Sequence, residues 1–371
     1  MADPAYPAAH AVAPVVHAHF AQHIADARAR GERGLAEPPD EATIAALIDA
    51  AFWASLRREE SYVPRISLAL LAPAQAEHPL MFERPLPLEP TALVRLSPAV
   101  ERAGIHLGVA RDGDRLAVWG TVRVIPPYSL VVEVAAPGLI VIKHHRGEEG
   151  GKYINVAVLE GDQIKVVDER ASTQPDCPSL VESLLGEFDA VNPLVQLAVS
   201  MRAHGRGGSL LVVPAGTDRW LDSIVRPISY AVTPGFDELA QLFRAGPERR
   251  RPWRDAVGRS VEAIAGLTAV DGATVMTTSY EVLAFGAKIV RRKGAPQVDQ
   301  VTVTEPIEGG AALLVHPSQL GGTRHLSAAQ FVQDQQDALA LVASQDGRFT
   351  VFAWSACEAM VHAHRVEALL M

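Results

Sequence analysis

Three short segments carry residue types suited to holding a phosphorylated ligand. Gly321, Gly322, Thr323, Arg324 and His325 follow an apolar run and precede "LSAAQFVQDQQ". Two glycines let backbone amides approach an anion. The arginine offers a planar fork of donors, and the threonine and histidine add a hydroxyl and a ring nitrogen. A helix starting at Leu326 or Ser327 would add partial positive charge from its N-terminus, with Ser327 as its N-cap. Upstream, Asp271, Gly272 and Ala273 place a carboxylate beside a glycine at a strand entry, where a divalent metal and a closely approaching backbone could meet. Asp-Gly is also the commonest hairpin dipeptide. Ser344, Gln345 and Asp346 end the strand "ALALV". Asp346-Gly347 reads as a hairpin turn, which leaves Ser344 at a strand end within reach of a phosphate.

The bulk properties bound what those segments serve. At 371 residues, with 48% hydrophobic and 21% charged, the chain has room for two globular domains. A net charge of −9 argues against general nucleic-acid binding, which needs a basic face. The basic clusters Arg249, Arg250, Arg251 and Arg254, then Arg291, Arg292 and Lys293, read as solvated surface. Cys177 and Cys357 stand far apart and in no metal-ligand spacing, which speaks against a disulfide framework or a zinc site. The histidine pairs His144/His145 and His362/His364 lack a third ligand at metal spacing. No apolar run reaches the length of a membrane span, and the N-terminus lacks the basic start of a signal peptide, so a cytoplasmic location is the expectation.

The elements that must position the segments follow from periodicity. Residues 1–10 read as disordered. "VAPVVHAHFAQHIADARARG" predicts a helix closing at Gly31. "PPDEATIAALIDAAFWASLRREE" predicts a second, with Asp40 as N-cap and Ile44, Leu47, Ile48, Ala51 and Phe52 on one face. From about residue 65, short β-rich runs with turn signals at 111–114 and 160–162 predict a mostly antiparallel sheet. Residues 11–172 thus form an α+β, β-rich N-terminal domain. The polar "ASTQPDCPS" marks the boundary, with a linker and helix start over 173–189. Helices alternating with buried strands make 190–371 an α/β, mixed-sheet domain with flanking helices, ending in a helix to Met371.

In order and spacing, "VDGATV", "YEVLAFGAKI" and "GGTRHLSAAQFVQDQQDALALVASQDGRFTVF" resemble the diadenylate cyclase domain family, over about residues 190–356. The resemblance implies that Asp271, Gly272, Ala273, Gly286, Gly322, Thr323, Arg324, His325 and Ser344 contact a nucleotide such as ATP or cyclic di-AMP. It makes Asp271, Arg324 and His325 the catalytic set if the reaction is retained, with Mg2+ or Mn2+ on Asp271. It also implies a homo-oligomer, dimeric or larger. This chain departs from the family at Leu326, where a second arginine is usual, at Gln345, where an acid is usual, and at Val270, where a histidine is common. The pattern is most similar to the divergent relatives grouped as sensor domains of the DACNV type, which carry an N-terminal extension. For those, nucleotide sensing rather than synthesis is the implied role.

Overall fold

The structure is a computed structural model and describes residues 4–58, 62–102, 104–145, 153–168, 192–245 and 251–370. The chain falls into two compact units, one ending at Asp168 and the other running from Glu169 to Leu370. Both are mixtures of helices and sheet, as the patterning predicts.

In the first unit, helix α1 spans Pro7–Ala29 and α2 spans Glu41–Ser55. Residues 7–10, expected to be disordered, are already helical. Proline at the first helical turn costs no hydrogen bond, and Tyr6 anchors the entry. Its ring stacks on Phe52 at 3.6 Å and its amide donates to Asp49 at 2.7 Å. Asp40 caps α2, accepting from the Thr43 amide and hydroxyl, both at 2.8 Å, and from Arg111 at 2.9 Å. Burial alone would raise the Asp40 carboxyl, but these donors outweigh it and hold its pKa at about 2.

Eight strands follow: β1 (Ile66–Leu70), β2 (Leu80–Pro87), β3 (His106–Asp112), β4 (Arg115–Val122), β5 (Val131–Ala136), β6 (Leu139–His145), β7 (Tyr153–Glu160) and β8 (Gln163–Val166). They form one sheet in the order β2-β4-β3-β1-β5-β6-β7-β8, antiparallel except where β1 lies beside β3. Helix α3 (Pro90–Val100) joins α1 and α2 over one face, where Ile66, Leu68, Leu107 and Val109 enter the core. The two-residue period sends Ser67 and Ala69 to the opposite face. That face holds a closed polar network. Ser67 Oγ meets His106 Nδ1 at 2.7 Å and Tyr153 OH meets His106 Nε2 at 2.8 Å. Lys143 lies 4.8 Å over the Tyr153 ring and pairs with Glu133. Burial, followed by the charges of Lys143 and His145, lowers the His106 pKa to about 4.

The second unit contains α4 (Pro193–Ala203), β9 (Gly208–Val213), β10 (Tyr230–Phe236), α5 (Glu238–Arg244), α6 (Arg251–Thr268), β11 (Ala273–Thr277) and β12 (Val282–Ala287). It continues with β13 (Val301–Thr304), β14 (Leu313–Val315), α7 (Thr323–Asp334), β15 (Leu339–Ala343), β16 (Phe349–Ser355) and β17 (Met360–Arg365). The strand order is β10-β12-β11-β9-β15-β16-β17-β13-β14, with β9/β11 and β13/β17 parallel. Along β9, Leu210 and Val212 pack with α4 and α6, while Leu211 and Val213 pack with α7, so the sheet is covered on both faces. Each such fully buried aliphatic side chain contributes roughly 1.5–3 kcal/mol.

Three expectations are corrected here. The segment before Met371 is strand β17 followed by one short 3-10 turn over Glu367–Leu369, rather than a single helix. Val361 and Ala363 enter the core beside α7, while His362 and His364 alternate to the other face, which is the period of a strand. Asp271-Gly272 turns no hairpin and instead links α6 to β11. Cys357 is disulfide-bonded, against the reading of two cysteines that stand apart. The linker over 173–189, and Arg249 and Arg250, lie outside the described residues. Among the described residues no helix is long and apolar enough to cross a membrane.

Candidate functional site

Helix α7 begins at Thr323 with Gly322 as its N-cap, so Thr323, Arg324 and His325 form its first turn. The helix had been expected only from Leu326 or Ser327. Packing explains the earlier start. His325, Ala328, Ala329 and Val332 are buried at helical spacing, and the histidine is the first member of that stripe. Gly321 permits the arrangement, because a Cβ there would overlap the Nδ1 edge of His325. Gly322 has no side chain to cap the helix. Only the His325 amide bonds back, to the Gly322 carbonyl at 3.1 Å, which leaves the Thr323 and Arg324 amides without a partner among the described residues.

Residues 321–325 face residues 342–346 across a cleft of about 350 Å³. Arg324 is half-buried and its guanidinium runs beside Gly207, where a Cβ would sit 3.0 Å from it. Among the described residues it forms no ion pair. Among the described residues the Ser344 hydroxyl is likewise unbonded, although its main chain closes the β15–β16 hairpin through Ser344 N–H to the Arg348 carbonyl at 2.9 Å. Gln345 donates to the Arg206 carbonyl at 3.3 Å, and Asp346 lies 3.5 Å from Arg348 on the rim. His325 is 1% exposed and edge-on to Phe352. Its Nε2 lies 3.5 Å from the Thr350 hydroxyl, while Nδ1 has no hydrogen-bond partner among the described residues. Burial is the main cause lowering its pKa. Asp346 opposes the shift, and Arg348, Arg324 and Arg365 reinforce it, so the ring is neutral at neutral pH.

The other residues singled out in the sequence do not line this cleft. Asp271, Gly272, Ala273 and Gly286 nevertheless share its end of the sheet. Thr274 pairs with Leu210 and Ala343 pairs with Gly208, so β11, β9 and β15 meet that end side by side. At normal strand spacing β11 lies about 10 Å from β15. Gly272 has φ +108° and packs its Cα on the Gly286 backbone, while Gly286, at φ +61°, lies against the Tyr230 ring. No L side chain fits at either position. Asp271 itself is exposed. Among the described residues no three His, Cys, Asp or Glu side chains converge on a metal position. A cation on Asp271 would therefore be completed by ligand phosphates and water, the way Mg2+ is commonly held. Leu326 turns away from the cleft and packs, half-buried, against the core beneath α7.

Sequence reasoning missed Gly207 and Thr350, which flank Arg324 and His325. The Gly207-Gly208 pair ahead of a continuous apolar strand was the available signal for a close approach. Nothing in the sequence pointed to Thr350, because its role comes from the pairing of distant strands.

Comparison with known proteins adds one finding. The model of a family described as "probable sensor domain DACNV" matches residues 33–123. That stretch runs from the end of α1 through β4 and lies wholly in the N-terminal unit. None of the three segments that resemble a diadenylate cyclase domain falls within it. No curated protein matches the chain. A crystal structure described as a hypothetical membrane spanning protein from Bacillus cereus is similar at 15% identity, over 49% of this chain and 67% of that one. Its TM-score of 0.28 is too low to carry an argument.

Proposed function

We propose that the C-terminal unit binds a nucleotide through its phosphate at the start of α7, and that the chain is a nucleotide sensor for ATP, cyclic di-AMP or a related molecule. The observation that carries this reading is Arg324. Its half-buried guanidinium faces a cleft without a carboxylate partner, beside two unbonded helix amides and the free Ser344 hydroxyl. An unpaired cation with oriented donors around it is an anion site awaiting its ligand. The sensor-domain match over residues 33–123 supports a signalling role for the chain as a whole. Ligand occupancy would bias a conformational or oligomeric equilibrium by as much as its affinity differs between the two states.

The test is a thermal-shift and calorimetric titration with ATP and with cyclic di-AMP, on the intact chain and on Arg324→Ala. A ligand at 100 times its Kd stabilises by about 2.7 kcal/mol. A shift of that order in the intact chain, reduced in the variant, supports the reading. The absence of any shift with either nucleotide rejects it.

A second reading is an active diadenylate cyclase, favoured by the exposed Asp271 at the same end of the sheet as the cleft. In that reading two copies would present two ATP molecules face to face, with Arg324 and His325 holding phosphates. A divalent cation held by Asp271 and the phosphates would neutralise charge at the reacting phosphate. Against it stands Leu326, which faces the core at the position of the family's second arginine. Losing one charge-assisted bond of about 1.5–3 kcal/mol slows the reaction roughly 10- to 150-fold if the bond forms in the transition state. Incubation with ATP and Mg2+ or Mn2+ decides between the readings. A cyclic di-AMP product that disappears in Asp271→Asn identifies an enzyme.

A further inference from the structure

The charges around the α7 cleft bear on which phosphate it accepts. Among the described lining residues Arg324 is the one cation, and no lysine joins it. His325 is 1% exposed, enclosed by Gly321 and Phe352, and carries no charge. Asp346 contributes a negative charge on the rim. Arg348 offsets part of it at 3.5 Å, with both side chains more than half exposed. Arg365 is engaged by Glu367 at 2.6 Å and by Glu305 at 3.8 Å. Lys288, after β12, is exposed and does not line the cleft. The net positive charge that these described residues offer a ligand is thus at most about one.

The donors match that count. Thr323 and Arg324 present two amides, Arg324 a fork, and Ser344 a hydroxyl. When the Thr350 hydroxyl donates to Nε2 of His325, the proton of the neutral ring sits on Nδ1, which has no partner among the described residues. Such a set can bracket two non-bridging oxygens. A nucleoside triphosphate without metal carries about four negative charges, and the repulsion from Asp346 scales with that charge. A phosphodiester carries one.

Building on the nucleotide reading above, we propose that this cleft selects a singly charged phosphodiester, the linkage of a linear or cyclic dinucleotide, over a nucleoside triphosphate. Terminal phosphates are disfavoured by Asp346, with Arg324 the one cation among the described lining residues.

The experiment is calorimetric titration of the full chain with cyclic di-AMP, with the linear dinucleotide ApA and with ATP, each in EDTA, repeated on Asp346→Asn. The expected result is that both diesters bind at least about tenfold more tightly than ATP. Asp346→Asn should then narrow the gap, strengthening ATP by about tenfold and the diesters by less than about threefold. Equal or tighter binding of metal-free ATP by the unaltered chain would overturn the selectivity while leaving the nucleotide site in place. A gap that Asp346→Asn leaves unchanged would overturn its electrostatic cause. No binding of any of the three would overturn the nucleotide reading itself, and this proposal with it.

Discussion

The two units each bury a histidine, His106 at the start of β3 and His325 in the first turn of α7, and the two are used differently. His106 in the first unit is bonded at both ring nitrogens, by Ser67 and Tyr153, inside a network that Lys143 and Glu133 close. His325 in the second has one long contact to Thr350 and a bare Nδ1 lining a cleft, next to an arginine without a carboxylate. A polar group whose partners all come from the same chain is a structural element, and its removal costs stability. A group at equal burial whose ring nitrogen is left bare on a cleft is available to an outside ligand, as the proposed nucleotide reading requires. The cleft collects side chains from the connection ahead of α7 and from the β15–β16 turn.

Acid should show the largest effect. His106 and His364 both have folded pKa values lowered to about 4 from 6.5, by burial first and then by neighbouring cations or the neighbouring His362 ring. The unfolded chain therefore takes up protons first. Stability is full above about pH 6.5 and falls as pH drops towards 4, by about 3 kcal/mol for each ring. Urea denaturation between pH 7 and 4, with hydrogen exchange reporting each sheet separately, should show both sheets weakening. A pH-independent midpoint over that window would contradict the neutral assignment of both rings.

His106→Ala breaks the closed side of the comparison. It strands the Ser67 and Tyr153 hydroxyls in a cavity, and the first sheet should lose about 2–3 kcal/mol, along with its share of the acid sensitivity. Gly272→Ala perturbs the support of the open side. The new methyl meets the Gly286 backbone at a φ that side chains avoid, so the second unit should lose about 2 kcal/mol while the first is unaffected. Loss of exchange protection confined to β11 and β12 would confirm it.

Arg324→Ala should have the smallest effect on folding and the sharpest on function. With no partner to strand among the described residues, stability should change by less than about 0.5 kcal/mol. Nucleotide affinity should fall at least about tenfold. A large loss of stability in this variant would mean that the guanidinium holds the fold together, and the two histidine environments would no longer differ in kind.

Much of this was legible in the sequence. The hydrophobic periods predict the two helices ahead of a mostly antiparallel sheet, and Asp40 announces itself as an N-cap three residues before Thr43. The alternation of apolar runs with helical stripes predicts the mixed sheet of the second unit. Residue type together with the family resemblance singles out Thr323, Arg324, His325 and Ser344, and these four line one cleft. The early start of α1, the strand nature of "MVHAHR" and the helical placement of Thr323 were harder to see. In each case a polar or proline residue interrupts the apolar pattern, and only the neighbour it packs against shows which period it obeys.

Residue type and spacing by themselves determined which groups can bind an anion and which segments can be helix or strand, because these are local properties of the chain. Tertiary structure decided whether each group is free. Whether Arg324 meets a carboxylate, whether Leu326 faces ligand or core, and whether a histidine is closed like His106 or open like His325 all depend on strands far apart in sequence. Those neighbours arrive only through β pairing, such as Ala343 beside Gly208, and through the packing of α7 on the sheet.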